Sequence, residues 1–446
     1  MDRIIRSRNV ITIILFMATV VCGQERLSIH IEELLQYHGL ELDFSSVDST
    51  VRNSDDPLAN RPNLSAEVIG YLPYWEYDQY PNLRYDLLTQ INYFSVELSP
   101  TGTLINDHNW SNLGLISYAH ERGVPVKLCA TLFGSADLTT LLSSPVYRQN
   151  AINNLLDAVL SADGDGVDID FELLPLSQRE NLVIFMMDLV AVFQAVLPDA
   201  IITLATPAID WSGAWDLNAL ADITDGLFIM GYNYHYSGSS NAGPVAPLGG
   251  FFYDLEYTVN DYLDVTGENR DKLILGLPYY GYDWSVQNNQ IYAPTLGAGQ
   301  ARTYTQARSL ALQYGQQFDF SSYAPWIAYQ DDGWQQCWYD DSLSLSLKYQ
   351  YVMEQELSGV GIWALGYDAG TVELWDALED HFVSCSLPGD LDQDGNVTVL
   401  DILLMVGVLT GGLIIDEEQL ACADLNGDGS LDILDIVETV AIILGS

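Results

Sequence analysis

Positive charge is scarce in this chain. Sixteen Lys and Arg stand against 61 Asp and Glu in 446 residues, a formal net charge of −45. A body that acidic repels phosphate, which argues against nucleic acid as a partner. It suits a solvated acidic surface or one that binds cations. Cysteine is also sparse. Cys22, Cys129, Cys337, Cys385 and Cys422 are the only five, and no Cys-x-x-Cys pair exists, so a cysteine zinc site is not expected. Beyond the first 24 residues no run of 18 uninterrupted apolar residues occurs, so no further membrane-spanning helix is expected. What is plentiful is core material. Hydrophobic residues make up 48% and aromatics 11%, which rules out wholesale disorder. The length suits two or three domains of roughly 100–200 residues each.

The start of the chain carries a targeting pattern. Arg3, Arg6 and Arg8 precede an apolar run from Val10 to Val21, and Val21 and Gly23 sit at −3 and −1 before Gln24. Residues 1–23 therefore read as a secretory signal peptide, and the protein is expected to be secreted. As a membrane anchor the run falls short of the roughly 20 residues needed to span. Cys22 raises lipid attachment as a third option, but Thr19-Val20-Val21 is a poor lipoprotein signal. In an oxidising compartment Cys385 and Cys422, which flank a short C-terminal module, could bridge, whereas Cys129 in its apolar run reads as a buried thiol. Residues 24–62 form a leader and linker: Ile29–Tyr37 is predicted helical, and Ser45–Pro62 is rich in Ser, Asp, Asn and Pro.

From Ala66 short apolar runs recur: Val68–Leu72, Gln90–Val96, Val124–Leu128, Gly166–Phe171, Ile201–Thr206, Gly226–Tyr232, Lys272–Leu277 and Gly359–Leu365. Helical stretches such as Tyr147–Ala162 and Ser177–Val196 lie between them. Eight strands alternating with helices predict an α/β fold, a (β/α)8 barrel over residues 63–384. The long gap from Tyr282 to Ser358 predicts a small insertion between strands seven and eight, plus the last helix before strand eight. In such a barrel chemistry lies at the C-terminal ends of the strands.

The fourth run is the most informative: Asp165-Gly166-Val167-Asp168-Ile169-Asp170-Phe171-Glu172. Strand side chains alternate faces, so Asp168, Asp170 and Glu172 share one face and Val167, Ile169 and Phe171 the other. Three carboxylates in a row raise at least one pKa and favour a shared proton. A carboxyl group kept protonated near neutral pH can serve as a general acid. A solvated edge strand would lack the apolar alternation. A calcium loop starting at Asp163 fails because Val167 occupies its fifth position. A magnesium site is the remaining bland alternative.

This octapeptide resembles the DGxDxDxE signature of glycoside hydrolase family 18, the chitinases and their relatives. Met230-Gly231-Tyr232-Asn233 is similar to that family's strand-six MxY(D/N) segment. Gly276–Gly281 is similar to its strand-seven motif, and Gly361–Gly366 to its strand eight, whose Trp floors the sugar site. The family's strand-three SxGG segment is not recognisable; Leu128-Cys129-Ala130-Thr131-Leu132-Phe133-Gly134 stands in its place. The resemblance implies substrate-assisted, retaining hydrolysis of chitin or another N-acetylglucosamine glycan, without a catalytic cofactor. Glu172 would be acid and then base. Asp170 would orient the acetamido group, Asp168 would share its proton, and Tyr232 would donate to the acetamido oxygen. Asn233 and Trp363 would contact sugar, with Tyr71, Tyr74, Trp75 and Trp284 as further aromatic candidates. His235 is read as structural, and Tyr236–Gly243 as a flexible polar lip beside the site. Alternatives are an N-acetylglucosaminidase acting on peptidoglycan or N-glycan cores, or a non-catalytic carbohydrate-binding relative. The second usually lacks the acid that Glu172 supplies.

Residues 388–446 hold a repeat. Asp390, Asp392, Asp394, Asn396, Thr398 and Asp401 are matched 34 residues later by Asp424, Asn426, Asp428, Ser430, Asp432 and Asp435. Oxygen ligands at positions 1, 3, 5, 9 and 12, with Gly395 or Gly429 at 6, are the spacing of a calcium loop. With Asp at twelve and no helix expected before the loop, each followed by an apolar helix, the repeat resembles a dockerin, a small all-α calcium-dependent docking module. The resemblance implies two calcium ions and a cohesin-like partner. Positions 10 and 11 are Val399-Leu400 and Ile433-Leu434, not the Ser-Thr type of cellulosomal dockerins.

Overall fold

A computed structural model describes residues 27–40, 62–384, 387–392, 396–415 and 417–444. The signal-peptide and linker assignments, and Cys385, Asp394 and Gly395, lie outside the described residues. The leader helix runs from Ile29 to Tyr37, as its pattern predicts, and is started by the Ser28 hydroxyl, which accepts from the Ile31 N–H at 3.2 Å.

Eight parallel strands close a barrel: β1 Glu67–Pro73, β2 Gln90–Leu98, β3 Val126–Phe133, β4 Gly166–Glu172, β5 Ile201–Pro207, β6 Gly226–Met230, β7 Leu273–Pro278 and β8 Gly359–Trp363. Each overlaps one predicted run. Consecutive strands pair in parallel, and β8 pairs with both β7 and β1, which removes every edge. Helices return the chain between strands from β2 onward, while short 3-10 turns at Tyr74–Asn82 and Tyr85–Leu87 join β1 to β2.

Local chemistry explains these helices. In Pro145–Ala162 the Ser144 hydroxyl caps the start, Pro145 sits in the first turn, and Asp163 ends the helix in the left-handed region at φ 59°. Its Ala151, Ile152, Leu155 and Val159 are buried. Truncating such a side chain, Leu155 for instance, costs about 2–5 kcal/mol.

The insertion is larger than a loop. Five antiparallel strands run in the order Gln300–Thr303, Tyr280–Val286, Trp334–Trp338, Ala324–Gln330, Gln317–Asp319, with helix Tyr304–Tyr314 beside them. Trp338 stacks between Trp326 and Tyr292 at centroid distances of 5.5 and 5.2 Å. The insertion begins at Tyr280, straight after β7, and helix Ser342–Glu354 leads back to β8. Among the described residues no helix is long and apolar enough to cross a membrane.

Among the described residues the C-terminal module has three helices, Val399–Leu409, Glu417–Ala423 and Ile433–Leu444. Leu391, Met405 and Ala423 form its core, with Leu404, Leu425, Leu431 and Ile436 packed around them. One expectation is corrected here. A helix, Glu417–Ala423, does precede the second loop directly. It is only two turns long, and Ala423 in the core and the disulfide-bonded Cys422 hold it in place.

Candidate active site

All seven residues of β4 are buried, and the two faces differ in what they meet. On the outer face Phe171 packs on Phe185 of helix Arg179–Val196, ring centroids 5.5 Å apart. That contact turns the carboxylates inward. Asp168 is met there by two hydroxyl donors and by the Cys129 thiol. The Tyr71 hydroxyl donates to Oδ2 at 2.6 Å and the Thr203 hydroxyl to Oδ1 at 2.5 Å. Parallel register places Cys129 beside Asp168, Thr131 beside Asp170 and Phe133 beside Glu172. Asp168 and Asp170 are fully buried, and Glu172 at the strand end is 7% exposed. Burial, and then the neighbouring Asp168, push the Asp170 carboxyl well above its ordinary range. Of the Asp168–Asp170 pair, Asp170 is therefore the member that favours the proton.

Tyr232 follows β6 and faces the same ladder. Its hydroxyl is held protonated first by burial, then by Tyr280, Asp170, Glu172 and Asp168. Asn233 adopts φ 62°, a left-handed conformation that Asn tolerates, and its side-chain oxygen accepts from the Tyr280 hydroxyl. Trp363 ends β8, with its ring 4.8 Å from Phe94 and 5.6 Å from Tyr71. Trp75 lies edge-on to Phe94 at 5.8 Å and donates its indole N–H to the Tyr367 hydroxyl at 3.1 Å.

Several expectations are corrected. Tyr71 has its hydroxyl committed to Asp168, so its part is to support the carboxylate. Trp284 is buried in the insertion, beside Tyr282, with its indole N–H on the Ser237 carbonyl at 3.2 Å. Tyr74 stacks on His108 at 3.6 Å. The Tyr236–Gly243 segment is pinned rather than loose. Gly299 donates to Ser237, Thr295 to Ser240, and Ala242 to Ala293, all through backbone at 2.8–3.0 Å. The insertion supplies these partners, which a reading of the segment alone lacks. His235 is structural as expected: Nδ1 lies 2.9 Å from the Pro244 carbonyl oxygen. Cys129 is a free, buried thiol.

Three neighbours escaped the sequence reading: Thr203, Tyr280 and Lys127. Lys127 is fully buried, with Nζ donating to the Thr203 hydroxyl at 2.7 Å. A signal existed, since Lys127 shares a strand face with Cys129 and Thr131.

In the module the twelfth-position aspartates organise both loops. Asp401 accepts from the backbone N–H groups of Leu391, Asp392 and Thr398 at 2.7–3.1 Å. Asp435 accepts from those of Leu425, Asn426 and Asp432 at 2.7–3.3 Å. Asp390, Asp392 and Asp401 bring carboxylate oxygens within 4.8 Å of one another, a donor set that fits a hard cation. In the second loop no three carboxylates come that close among the described residues. There Asp424 accepts from the N–H groups of Gly427, Asp428 and Gly429. Gly429, at φ 81°, makes the sharp turn at position 6. Of the remaining predicted ligands, Asn396 and Thr398 lie in the first loop, where the Thr398 hydroxyl caps the following helix; Ser430 donates to Asp428 in the second.

A closed (β/α)8 barrel with an inward carboxylate ladder at the C-terminal end of β4 defines a glycoside hydrolase. The chain belongs to the glycosyl hydrolases family 18, whose pattern residues 67–368 match. Residues 388–439 match the type I dockerin domain. A Bacillus subtilis protein named as a sporulation-specific glycosylase, YdhD, is 28% identical over 331 residues, 69% of this chain and 75% of its own. Mouse di-N-acetylchitobiase is 26% identical over 304 residues, 59% of this chain and 79% of its own. Among solved structures, a family 18 chitinase from Cycas revoluta in complex with (GlcNAc)3 superposes with TM-score 0.64 at 22% identity, covering 71% of this chain and 99% of its own.

Proposed function

We propose that the protein hydrolyses β-1,4-linked N-acetylglucosamine polymers of the chitin type, with retention of configuration. The observation that carries this reading is the buried Asp168–Asp170–Glu172 face, with the Asp170 carboxyl raised by burial and by Asp168, and the Tyr232 hydroxyl turned toward it. The substrate's acetamido oxygen attacks the anomeric carbon while the glycosidic C–O bond breaks. Glu172 delivers its proton to the leaving oxygen. The unprotonated oxygen of the Asp170 carboxyl accepts from the acetamido N–H and so orients the group, and Tyr232 donates to the acetamido oxygen. Asp168 holds the compensating negative charge. Water then opens the oxazolinium ring from the other face, giving its proton back to Glu172. Asn233 contacts the sugar, Trp363 supports its apolar face, and Trp75 extends the aromatic surface.

A second reading, cleavage of N-acetylglucosamine bonds in peptidoglycan, is favoured by the relatives named as a sporulation-specific glycosylase and as cortical fragment-lytic enzymes. A side-by-side product profile on chitin oligomers, peptidoglycan and a high-mannose glycan separates the two. Turnover of chitohexaose ahead of peptidoglycan supports the first reading, and the reverse order replaces it with the second. The protein is further proposed to be secreted, with residues 1–23 removed. Its module is proposed to bind two calcium ions and to dock on a cohesin-like partner.

A further inference from the structure

Lys127 is the only basic residue in the eight barrel strands, and one of only three lysines in the chain, with Lys272 and Lys348. It is fully buried in the barrel interior, one layer below the carboxylate ladder. A buried ammonium needs a partner, and Lys127 has no direct ion pair among the described residues. Its contact is Thr203, whose hydroxyl in turn reaches Asp168. The direction of this chain follows from donor chemistry. An ammonium can only donate. The Thr203 oxygen therefore accepts from Lys127, and its single proton is left for Asp168.

We infer that Lys127, acting through Thr203, is a positioning residue that keeps the negative charge on Asp168 and so keeps the shared proton on Asp170. The inference rests on the proposed acetamido-assisted reaction, in which Asp170 must carry that proton. Without the ammonium, the Thr203 hydroxyl is free to turn away. Asp168 then loses the Thr203 donor along with the nearest positive charge. The proton of the pair shifts toward Asp168, and Asp170 no longer meets the acetamido N–H in the protonation state the reaction uses.

The groups that face Lys127 are Asp168 on β4, Glu67 on β1, Asp225 before β6, and Cys129 on its own strand. Burial pulls the ammonium down to about 8, against the opposing effect of these four. The sign follows directly. Lys127 is charged below that pH and neutral above it, so the relay is intact on the acid side and lost on the alkaline side.

The test compares Lys127→Met, Thr203→Val and Thr203→Ser in the full chain, assayed on a chitooligosaccharide across pH. Lys127→Met and Thr203→Val are expected to lower kcat roughly tenfold or more while KM changes little. The acid limb of kcat/KM moves to higher pH, because the anion of the pair has lost support. The alkaline limb near pH 8 disappears in Lys127→Met. Thr203→Ser restores the wild-type profile, and the double variant is no worse than either single one. A purely structural lysine would leave both limbs in place, and a Ser variant as impaired as the Val variant would likewise overturn the relay. Nitrogen-15 NMR of the three lysine Nζ groups tests the same link without turnover. Asp168→Asn should lower the Lys127 midpoint, and an unmoved midpoint refutes the coupling. A wild-type chain inactive on every N-acetylglucosamine substrate defeats the proposed function, while the NMR result still decides the relay.

Discussion

Removing calcium should unfold the C-terminal module and leave the barrel intact. Residues 388–446 contain twelve acidic residues and no Lys, Arg or His, a formal charge of −12. Three carboxylate oxygens, from Asp390, Asp392 and Asp401, converge within 4.8 Å. At that separation each pair repels by about 3 kcal/mol with an effective dielectric constant of about 20, so the three pairs sum to roughly 10 kcal/mol before screening. A whole domain is stable by only about 5–15 kcal/mol. The module's core is small, with Leu391, Met405 and Ala423 at its centre, and cannot absorb that repulsion alone. Two calcium ions would bring the charge from −12 to −8 and turn the repulsion into shared attraction. Calorimetry of the full chain, with calcium and with a chelator, should show one transition that depends on the ion. Even a 2 kcal/mol loss lowers the melting of a segment this size by about 10 °C. Asp401→Ala should have the same effect with calcium present, because three backbone N–H groups lose their acceptor. Hydrolysis of soluble oligomers should be unchanged by the chelator. Identical thermograms with and without calcium would refute the reasoning.

Glu172→Gln should fold normally and lose at least ~10²-fold in hydrolysis, since the amide cannot deliver a proton; more than a tenth of wild-type activity on a chitooligosaccharide would remove Glu172 from its role. The first product seen by proton NMR should be the β-anomer, and cellohexaose, which lacks the acetamido group, should not be cut; an initial α-anomer or comparable cellohexaose turnover contradicts the mechanism. Tyr71→Phe removes the 2.6 Å donor to Asp168. A buried bond to a charged group contributes about 1.5–3 kcal/mol, so the acid limb of kcat/KM should move up by about one pH unit or more. An unmoved limb would show that Tyr71 does not hold the anion.

The parts of this protein that were legible in the sequence are those with a local rule behind them. Alternation with period two announced the β4 carboxylate face before any contact was known, and the eight apolar runs matched eight strands because a buried parallel strand must be apolar on its outer side. The loop repeat was equally plain, since ligands that surround one ion must sit at set intervals along a short turn. Tertiary structure decided what surrounds the site. Tyr71 lies 97 residues from Asp168 in the chain, Thr203 lies 35, and Lys127 lies 76 from Thr203. Such contacts depend on how strands register around the closed barrel, which no local pattern encodes. The same is true of Trp284, whose aromatic ring reads as a sugar platform in sequence but commits its indole N–H to the Ser237 carbonyl, and of Tyr236–Gly243, whose backbone and polar groups are held by residues 292–299 of the insertion, some fifty residues later. Residue type and spacing determine which chemistry is available; the closure of the barrel determines which hydroxyl and which ammonium stand next to each carboxylate, and so where the proton rests.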